Sequence, residues 1–424
     1  MSVDTTSADV CARFQNAIAA SPTASEETIG LSVSGGGDSI ALMHLAARLR
    51  DPKRLRVLTV DHGLRPEAQQ EIALVASQAA DLNIDHAVMP WTWDGQGNLQ
   101  AAARARRWAA VSAWAAMHNM REVWLGHTED DQVETVLMRL ARGSGIDGLT
   151  AMYPLSERDD LRILRPLLGC ARADLRHWLQ SNKIPWCEDP SNDDPRFDRV
   201  RARQMFAQLE GLGLTRKRLL QTIDHMQAAH LSLQIAAHGF ARQHVRQDAG
   251  DLLCDPPALD LQKADAPRRV MAAAFAWVGS RTYRPRFEQL LDTVARARKG
   301  MTVTLAGCIM TPEPNGIVRL TREAAATAAT RRPTPKPDMT GAFWDHRWFL
   351  EGPVQDSLTF KALGDGIMEC PNWRDSGMPR TSLLASPSVW EGDVVIAAPL
   401  AGLSNGWSAR IVADFHSTAF AIED

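Results

Sequence analysis

The sequence lacks the features of several large protein classes. Its six cysteines are scattered and form no CxxC pair, which argues against a zinc ribbon, an iron–sulfur site or a disulfide framework. No apolar run is long enough to cross a bilayer. The first residues show no basic segment followed by an apolar one, as a secretory signal would. We therefore expect a reduced, cytoplasmic protein that does not associate with membranes.

An overall positive charge is also missing. The formal net charge is −3, so any binding of nucleic acid must depend on local basic clusters rather than on a positive field over the whole protein. Such clusters occur at 104–108, 196–203, 215–218 and 284–287. A solvated helix face is the alternative interpretation of each cluster taken singly.

The chain is longer than one hydrophobic core usually supports, and its patterns predict several domains. In residues 1–210 short apolar runs alternate with helical periodicity, which predicts an α/β domain with a parallel sheet and helices on both faces. Residues 211–323 are mainly helical and end in two strands around a turn. Residues 324–338 are rich in small residues and proline, which is typical of a linker. Residues 339–424 predict a small α+β domain.

Polar residues follow the strands that we predict in the first domain. The predicted strands are 29–34, 55–61, 85–91 and 122–127. Ser34, Asp61 and His127 lie at carboxyl ends of these strands, where parallel sheets bind their ligands. We therefore expect these residues to converge.

The segment Ser34–Ser39 reads SGGGDS and lies between the first strand and a helix. Three glycines let the backbone wrap around a phosphate, at which the amides and the helix dipole then point. The loop has no lysine and is shorter than GxxxxGK[ST]. Asp38 would repel a phosphate unless Mg²⁺ lies between them. The predicted ligands of the nucleotide phosphates are Ser34, Gly35, Gly36, Gly37, Asp38 and Ser39. A tight turn with a capping side chain is the alternative.

A second informative segment, 126–149, reads GHTEDDQVETVLMRLARGSGIDGL. His127 ends a predicted strand, and acidic residues begin the helix that follows. Asp131 and Glu134 are three residues apart and face the same side of that helix. Such a pair suits a metal contact or acid–base chemistry near Asp38. Capping of the helix together with compensation of its dipole is the alternative role.

The SGGGDS loop resembles that of the PP-loop ATP pyrophosphatases, which cleave ATP between the α and β phosphates. Four segments, in their order and spacing, resemble more narrowly the tRNA(Ile)-lysidine synthetases. They are 60–65, 98–108, 126–149 and 189–203. The resemblance covers roughly residues 25–210 and continues more weakly to 323.

The resemblance implies an adenine nucleotide alpha hydrolase-like fold for the first domain and a two-step reaction. ATP adenylates the C2 oxygen of the wobble cytidine in a tRNA(Ile) with a CAU anticodon, and L-lysine then displaces AMP to form lysidine. The implied catalytic residues are Asp38, His127, Asp131 and Glu134. Asp38 and Asp131 are the implied Mg²⁺ ligands, and the resemblance is compatible with a homodimer.

Four arginines complete the predicted site. Arg104 and Arg107 are three residues apart, so one helix face presents both to a polyphosphate or to the anticodon backbone. Surface salt bridges are the alternative for this pair. Arg199 and Arg203 lie at the end of the nucleotide domain, where cationic donors would stabilise developing charge.

The chain departs from the family pattern at two positions and in one segment. Thr128 stands where a second histidine is frequent, and we assign it no acid–base role because threonine cannot accept a proton at neutral pH. Val200 replaces an asparagine, which weakens the roles of the neighbouring arginines. Residues 361–393 contain few lysines and arginines, so we expect tRNA binding to depend more on the helical middle domain.

Two other functions stay open. A tRNA thiolase would use the same loop, but those enzymes carry catalytic cysteines or a CxxC cluster site, whereas Cys170 and Cys187 are isolated. A non-catalytic nucleotide-binding or tRNA-binding protein is the second alternative. The intact acidic set around Asp38 argues against it, because a binder needs no such convergence of acids.

Overall fold

The computed structural model describes residues 5–19, 27–61, 68–90, 99–158, 161–188, 196–280, 284–327, 341–353, 355 and 357–420. The chain divides into two compact units, Met1–His230 and Leu231–Ile422. In the described ranges, no helix is long and apolar enough to span a bilayer.

The first unit is built on a six-stranded sheet in the order β3-β2-β1-β4-β6-β5. Its strands are β1 (Ile29–Ser32), β2 (Leu55–Asp61), β3 (Asp85–Pro90), β4 (Glu122–Leu125), β5 (Leu155–Arg158) and β6 (Leu161–Leu164). All neighbours pair in parallel except β5 and β6, which are antiparallel. The predicted parallel sheet is confirmed, and β1 to β4 are the four predicted strands. The hairpin β5-β6 was not predicted because its short strands carry charged residues and show no clear periodicity.

Helices connect these strands. They are α1 (Thr5–Ala19), α2 (Gly37–Leu49), α3 (Ala68–Asp81), α4 (Leu99–Met117), α5 (Glu129–Ala141), α6 (Ile146–Leu149), α7 (Arg172–Ser181), α8 (Asp198–Glu210) and α9 (Arg216–His244), the last of which continues into the second unit.

The sheet has a hydrophobic core on each face, as its strand periodicity requires. Trp124 belongs to one core, where its ring lies 5.8 Å from that of Phe14 in α1. Its neighbour Val123 belongs to the other core, with Trp114 of α4. On β1, a β-carbon at Gly30 would lie 2.6 Å from the Trp114 ring. Glycine is therefore required where α4 crosses this strand.

The second unit contains a five-stranded antiparallel sheet in the order β7-β8-β11-β10-β9. Its elements are β7 (Val245–Asp248), β8 (Asp251–Cys254), α10 (Asp265–Val278), α11 (Phe287–Arg298), β9 (Val303–Leu305), β10 (Cys308–Pro312) and β11 (Val318–Arg322). The predicted turn at Pro314–Gly316 separates β10 from β11, with Asn315 at φ +60°. The middle region therefore has the expected helices and also a larger sheet than its helical pattern predicted.

The rest of this unit forms two three-stranded sheets, β12-β13-β17 and β14-β15-β16. Its elements are α12 (Ala324–Thr327), β12 (Gly341–Trp344), β13 (Trp348–Glu351), β14 (Leu358–Ala362), α13 (Arg380–Leu384), β15 (Pro387–Glu391), β16 (Val394–Ala397), β17 (Ser408–Ile411) and α14 (Phe415–Thr418). This agrees with the predicted α+β character. Most of the predicted linker, from 328 onward, lies outside the described residues. Phe415 and Phe420 are buried in the core formed by α10 and the five-stranded sheet.

Replacing Phe14 by alanine tests how much α1 stabilises the first unit. The Phe14 side chain is 0% exposed, so we expect the free energy of unfolding to fall by about 3–5 kcal/mol. Urea denaturation followed by circular dichroism measures this change. Met117, 64% exposed on α4, is the control, and its replacement by alanine should cost less than about 0.5 kcal/mol. Equal stabilities of the Phe14 variant and the wild type would show that α1 lies outside the cooperative unit.

Candidate active site

The SGGGDS loop leaves β1 and enters α2 with its backbone held by its own side chains. Gly35 has φ +92°, a left-handed conformation that favours glycine. The Ser39 hydroxyl accepts a hydrogen bond from the Ser34 amide at 3.1 Å and donates one to the Gly36 carbonyl at 2.9 Å. The first intrahelical bond of α2 runs from the Ile40 amide to the same carbonyl at 3.0 Å. The amides of the first turn of α2 come before this bond, where a helix offers them no carbonyl partner. Together with the helix dipole, they make this end of α2 suited to an anion.

A segment that follows α7 packs against this loop. The Cys187 amide donates to the Gly35 carbonyl at 3.0 Å. A β-carbon on Gly37 would lie 3.3 Å from Cδ1 of Trp186, which leaves little room for a side chain there. The path of the loop therefore depends on residues far along the chain.

The helix after β4 begins with a reciprocal cap between Thr128 and Asp131. Oδ2 of Asp131 accepts from the Thr128 amide at 2.9 Å and from the Thr128 hydroxyl at 3.0 Å. Thr128, to which the sequence analysis gave no acid–base role, thus fixes the start of α5. Two carboxylates of this helix are buried: Asp131 is 4% exposed and Glu134 is 3% exposed.

Arg172 joins the loop to α5. Its Nε donates to Oδ2 of Asp38 at 2.9 Å. Its two terminal nitrogens lie 3.4 Å from Oε1 of Glu134 and 3.7 Å from Oδ1 of Asp131. The backbone amide of Arg172, at the start of α7, donates to Oδ2 of Asp130 at 2.8 Å. Both ends of the residue are therefore tied to the acidic cluster.

Helix α8 adds two more arginines to the same carboxylates. Arg199 donates to Oδ1 of Asp131 at 3.0 Å, and Arg203 donates through two nitrogens to Oε1 of Glu134 at 3.1 and 2.9 Å. Val200 lies between them and is buried. The two predicted arginines thus pair with two of the predicted acids.

The pKa shifts follow from burial and from these cations. Burial raises the pKa of Asp38, and the charge of Arg172 opposes that rise only in part. Burial would also raise the pKa of Asp131, but the charges of Arg199, His127 and Arg172 outweigh it, so this pKa is lowered. Asp131 is therefore ionised at neutral pH, and Asp38 depends on its neighbouring cation.

The structure gathers most of the predicted site at the carboxyl edge of the sheet. The Ser34–Ser39 loop follows β1, and His127 follows β4 and acts electrostatically on Asp131. Arg107 is exposed on α4, and the side chain of Arg104 lies outside the described residues. Residues 62–65 and 189–195, which contribute to the quoted motifs, lie outside them as well.

Sequence reasoning missed two residues that contact the predicted site, Arg172 and Trp186. Arg216, from the basic cluster at 215–218, pairs with Asp130 at 2.6 Å, next to Asp131. The sequence could have indicated Arg172 through its position: it begins α7, the helix that follows β6, and β6 pairs in parallel with β4. Because β6 was not recognised, its carboxyl end could not be assigned to the site.

The oxygen donors fit Mg²⁺ in one mode only. Among the described residues, no group of three histidine, cysteine, aspartate or glutamate side chains could enclose a metal ion. Both oxygens of Asp131 already accept hydrogen bonds, from Arg199 and Thr128. Asp38 lies in the SGGGDS loop, where we predict the nucleotide phosphates, and it suits the usual mode, in which one carboxylate and several phosphate oxygens share the ion.

Comparisons with known proteins agree with this geometry. Residues 6–210 match the PP-loop domain family (ATP_bind_3). The fold and the site therefore define a PP-loop nucleotide-binding enzyme.

The relatives define the family more narrowly. The tRNA(Ile)-lysidine synthase of Ruegeria pomeroyi is 43% identical over 387 residues, covering 90% of this chain and 91% of the relative. The synthase of the same name from a Bradyrhizobium species is 36% identical, covering 66% and 83%. That of Anaplasma marginale is 32% identical, covering 70% and 65%. The chain belongs to the tRNA(Ile)-lysidine synthase family.

Replacing Asp131 by asparagine tests the electrostatic part of this arrangement. Asparagine keeps the cap acceptor but removes the charge that faces the arginines, so we expect a loss of about 1–3 kcal/mol in the free energy of unfolding at pH 7. The folded-state pKa of Asp131 lies below its unfolded value. Its stabilisation is therefore complete above the unfolded pKa and is lost as the pH falls through the folded pKa.

Urea unfolding of wild type and variant from pH 7 down to about pH 4 measures this effect. The stability difference should stay constant to about pH 5 and shrink below it. Asp85→Asn is the control, because that carboxylate is 75% exposed in its pair with Arg56 and should contribute little at any pH. A difference that does not change with pH would contradict the electrostatic explanation.

Proposed function

We propose that this chain joins L-lysine to C2 of the wobble cytidine in a CAU-anticodon tRNA(Ile), consuming ATP and releasing pyrophosphate and AMP. One observation carries the proposal. The SGGGDS loop meets paired carboxylates and arginines at one edge of the sheet, through Arg172, in a chain 43% identical to a tRNA(Ile)-lysidine synthase.

In the first step the loop holds the β and γ phosphates of ATP. The C2 oxygen of cytidine attacks the α-phosphorus, a new P–O bond forms, and the bond to the bridging oxygen breaks so that pyrophosphate leaves. Arg199 and Arg203 lie at the edge of the cluster, 43% and 40% exposed, and would stabilise negative charge on the phosphates as they react. Arginine suits this task because its planar fork matches phosphate oxygens.

In the second step the lysine amine attacks C2, and the C2–O bond breaks so that AMP leaves with the oxygen. Oε2 of Glu134 is buried and has no hydrogen-bond partner among the described residues. We therefore assign this oxygen to the ammonium group of lysine, since a buried carboxylate oxygen needs a donor. The ammonium must lose a proton before it attacks, and we assign its acceptance to the imidazole of His127, which lies between β4 and α5.

Asp38 would hold Mg²⁺ together with phosphate oxygens of ATP. The ion, when bound, neutralises charge on the phosphates. The engaged oxygens of Asp131 make it a structural and electrostatic residue in this proposal rather than a metal ligand.

The tRNA is the larger partner. The exposed Arg107, with Arg104 one turn before it, would contact the anticodon backbone. We assign further tRNA binding to the 211–323 and 339–424 regions, and we place the protein in the cytoplasm. A homodimer is part of the proposal, and the mass in solution tests it.

The function is tested with radiolabelled lysine, ATP and an unmodified CAU-anticodon tRNA(Ile) transcript, with tRNA(Met) beside it. We expect lysine to enter only tRNA(Ile), with one pyrophosphate and one AMP formed per lysine. Asp38→Ala should lower the rate at least about a hundredfold, on the scale of other phosphate-site losses. Asp85→Ala removes an exposed carboxylate at the opposite edge of the sheet, where β3 begins, and should leave the rate unchanged.

Two outcomes would contradict this function. Pyrophosphate release without lysine incorporation would keep the PP-loop chemistry but require another nucleophile, such as the sulfur used by a thiolase. No ATP turnover with any tRNA would favour a nucleotide-binding or tRNA-binding protein.

A further inference from the structure

The contacts of Arg172 differ from those of the other arginines in the cluster. Arg199 and Arg203 each pair with one carboxylate of α5, whereas Arg172 reaches three carboxylates on two elements. Its side chain is only 20% exposed, against 43% and 40% for the other two. Arg172 is therefore the inner cation of the site.

Asp38 depends on this cation more than the other carboxylates do. Asp131 and Glu134 keep Arg199 and Arg203 if Arg172 moves away. Within the described part of the chain, Arg172 is the one cation that forms an ion pair with Asp38. Without it, Asp38 would be a partly buried carboxylate close to Asp130 and Asp131, which is unfavourable.

Arg172 donates to Oδ2 of Asp38, and Asp38 is the residue that suits Mg²⁺. A divalent ion on Asp38 would lie within a few ångströms of the guanidinium, and two cations at that separation repel each other strongly in a partly buried site. The guanidinium and the ion therefore cannot both hold Asp38 without cost. The backbone amide of Arg172 is bound to Asp130 independently of the side chain, so the guanidinium can turn away while α7 stays in place.

We propose that Arg172 is an exchangeable cation. Before the nucleotide binds, the guanidinium of Arg172 neutralises Asp38. When ATP binds with its divalent ion, the ion replaces the guanidinium on Asp38, and the guanidinium binds the nucleotide phosphates instead. This deepens the proposed function, because it takes ATP as the nucleotide at the same site. Arginine suits the exchange, since its planar fork binds carboxylate and phosphate with the same geometry.

The exchange predicts that removing Arg172 strengthens metal binding while it weakens catalysis. Without nucleotide, Asp38 and water can offer Mn²⁺ only a weak site. Arg172→Gln should bind Mn²⁺, used there as a paramagnetic probe, at least about tenfold more tightly than the wild type, because no guanidinium then repels it. Electron paramagnetic resonance of free Mn²⁺ measures the affinity. The same variant should form AMP more slowly and show a raised KM for ATP. A merely structural role would weaken both properties.

Two further variants sharpen the test. Arg176→Gln is the matched control, because Arg176 lies on the same helix and pairs with Glu188 at 2.8 Å rather than with Asp38. Its Mn²⁺ affinity should equal that of the wild type. Arg172→Lys keeps the charge without the fork, so its Mn²⁺ affinity should stay near the wild-type value while its KM for ATP rises.

Circular dichroism of each variant establishes that it is folded. If folded Arg172→Gln binds Mn²⁺ no more tightly than the wild type, the exchange is wrong. Tighter binding in Arg172→Gln alone supports it. The Mn²⁺ measurement needs neither tRNA nor lysine, so the two proposals can fail separately. If the wild type transfers no lysine but Arg172→Gln still binds Mn²⁺ more tightly than the wild type does, the proposed function is overturned and the exchange is supported.

Discussion

Carboxylates of like charge can be buried together only when cations compensate them, and the candidate site is arranged around this constraint. Asp131 and Glu134 are almost fully buried, and desolvation alone would raise the pKa of Asp131. Arg172 compensates for part of this cost by lying between them and Asp38. The position of the SGGGDS loop relative to α5 is thus linked to the charge balance of the site.

This balance requires residues from four separate parts of the chain to meet at one edge of the sheet. The parallel order β1-β4-β6 places the loop after β1, the helix after β4 and the helix after β6 beside each other. Helix α8 then brings Arg199 and Arg203 from further along the chain. The same geometry that concentrates negative charge also supplies its counter-ions, and it places the start of α2, the proposed phosphate site, beside them.

The second unit also compensates buried carboxylates with arginines. Asp251 is 3% exposed and pairs with Arg319 at 3.0 Å, and it accepts a hydrogen bond from Ser382. Asp345 pairs with Arg322 at 3.1 Å. These contacts join β8 and β11 to residues beyond the predicted linker. Breaking one partner of such a pair leaves an uncompensated buried charge, so the five-stranded sheet and the last segments of this unit are energetically coupled.

The local sequence determined the parts of this protein whose signal is local. The turn at the glycines of the SGGGDS loop follows from backbone freedom, the strands β1 to β4 from periodicity, and the acidic start of α5 from capping. All three act over a few residues. The motif spacing also identified the family. Only the tertiary structure decided that Arg172 is the inner cation, that Trp186 lies against Gly37 and that Thr128 caps α5 through Asp131. The strands β5, β6, β7 and β8 went unpredicted because each has only four residues, too few to show a clear periodicity. The contacts of Arg172, Trp186 and Thr128 depend instead on strand order and burial, which bring together residues that are distant in the chain.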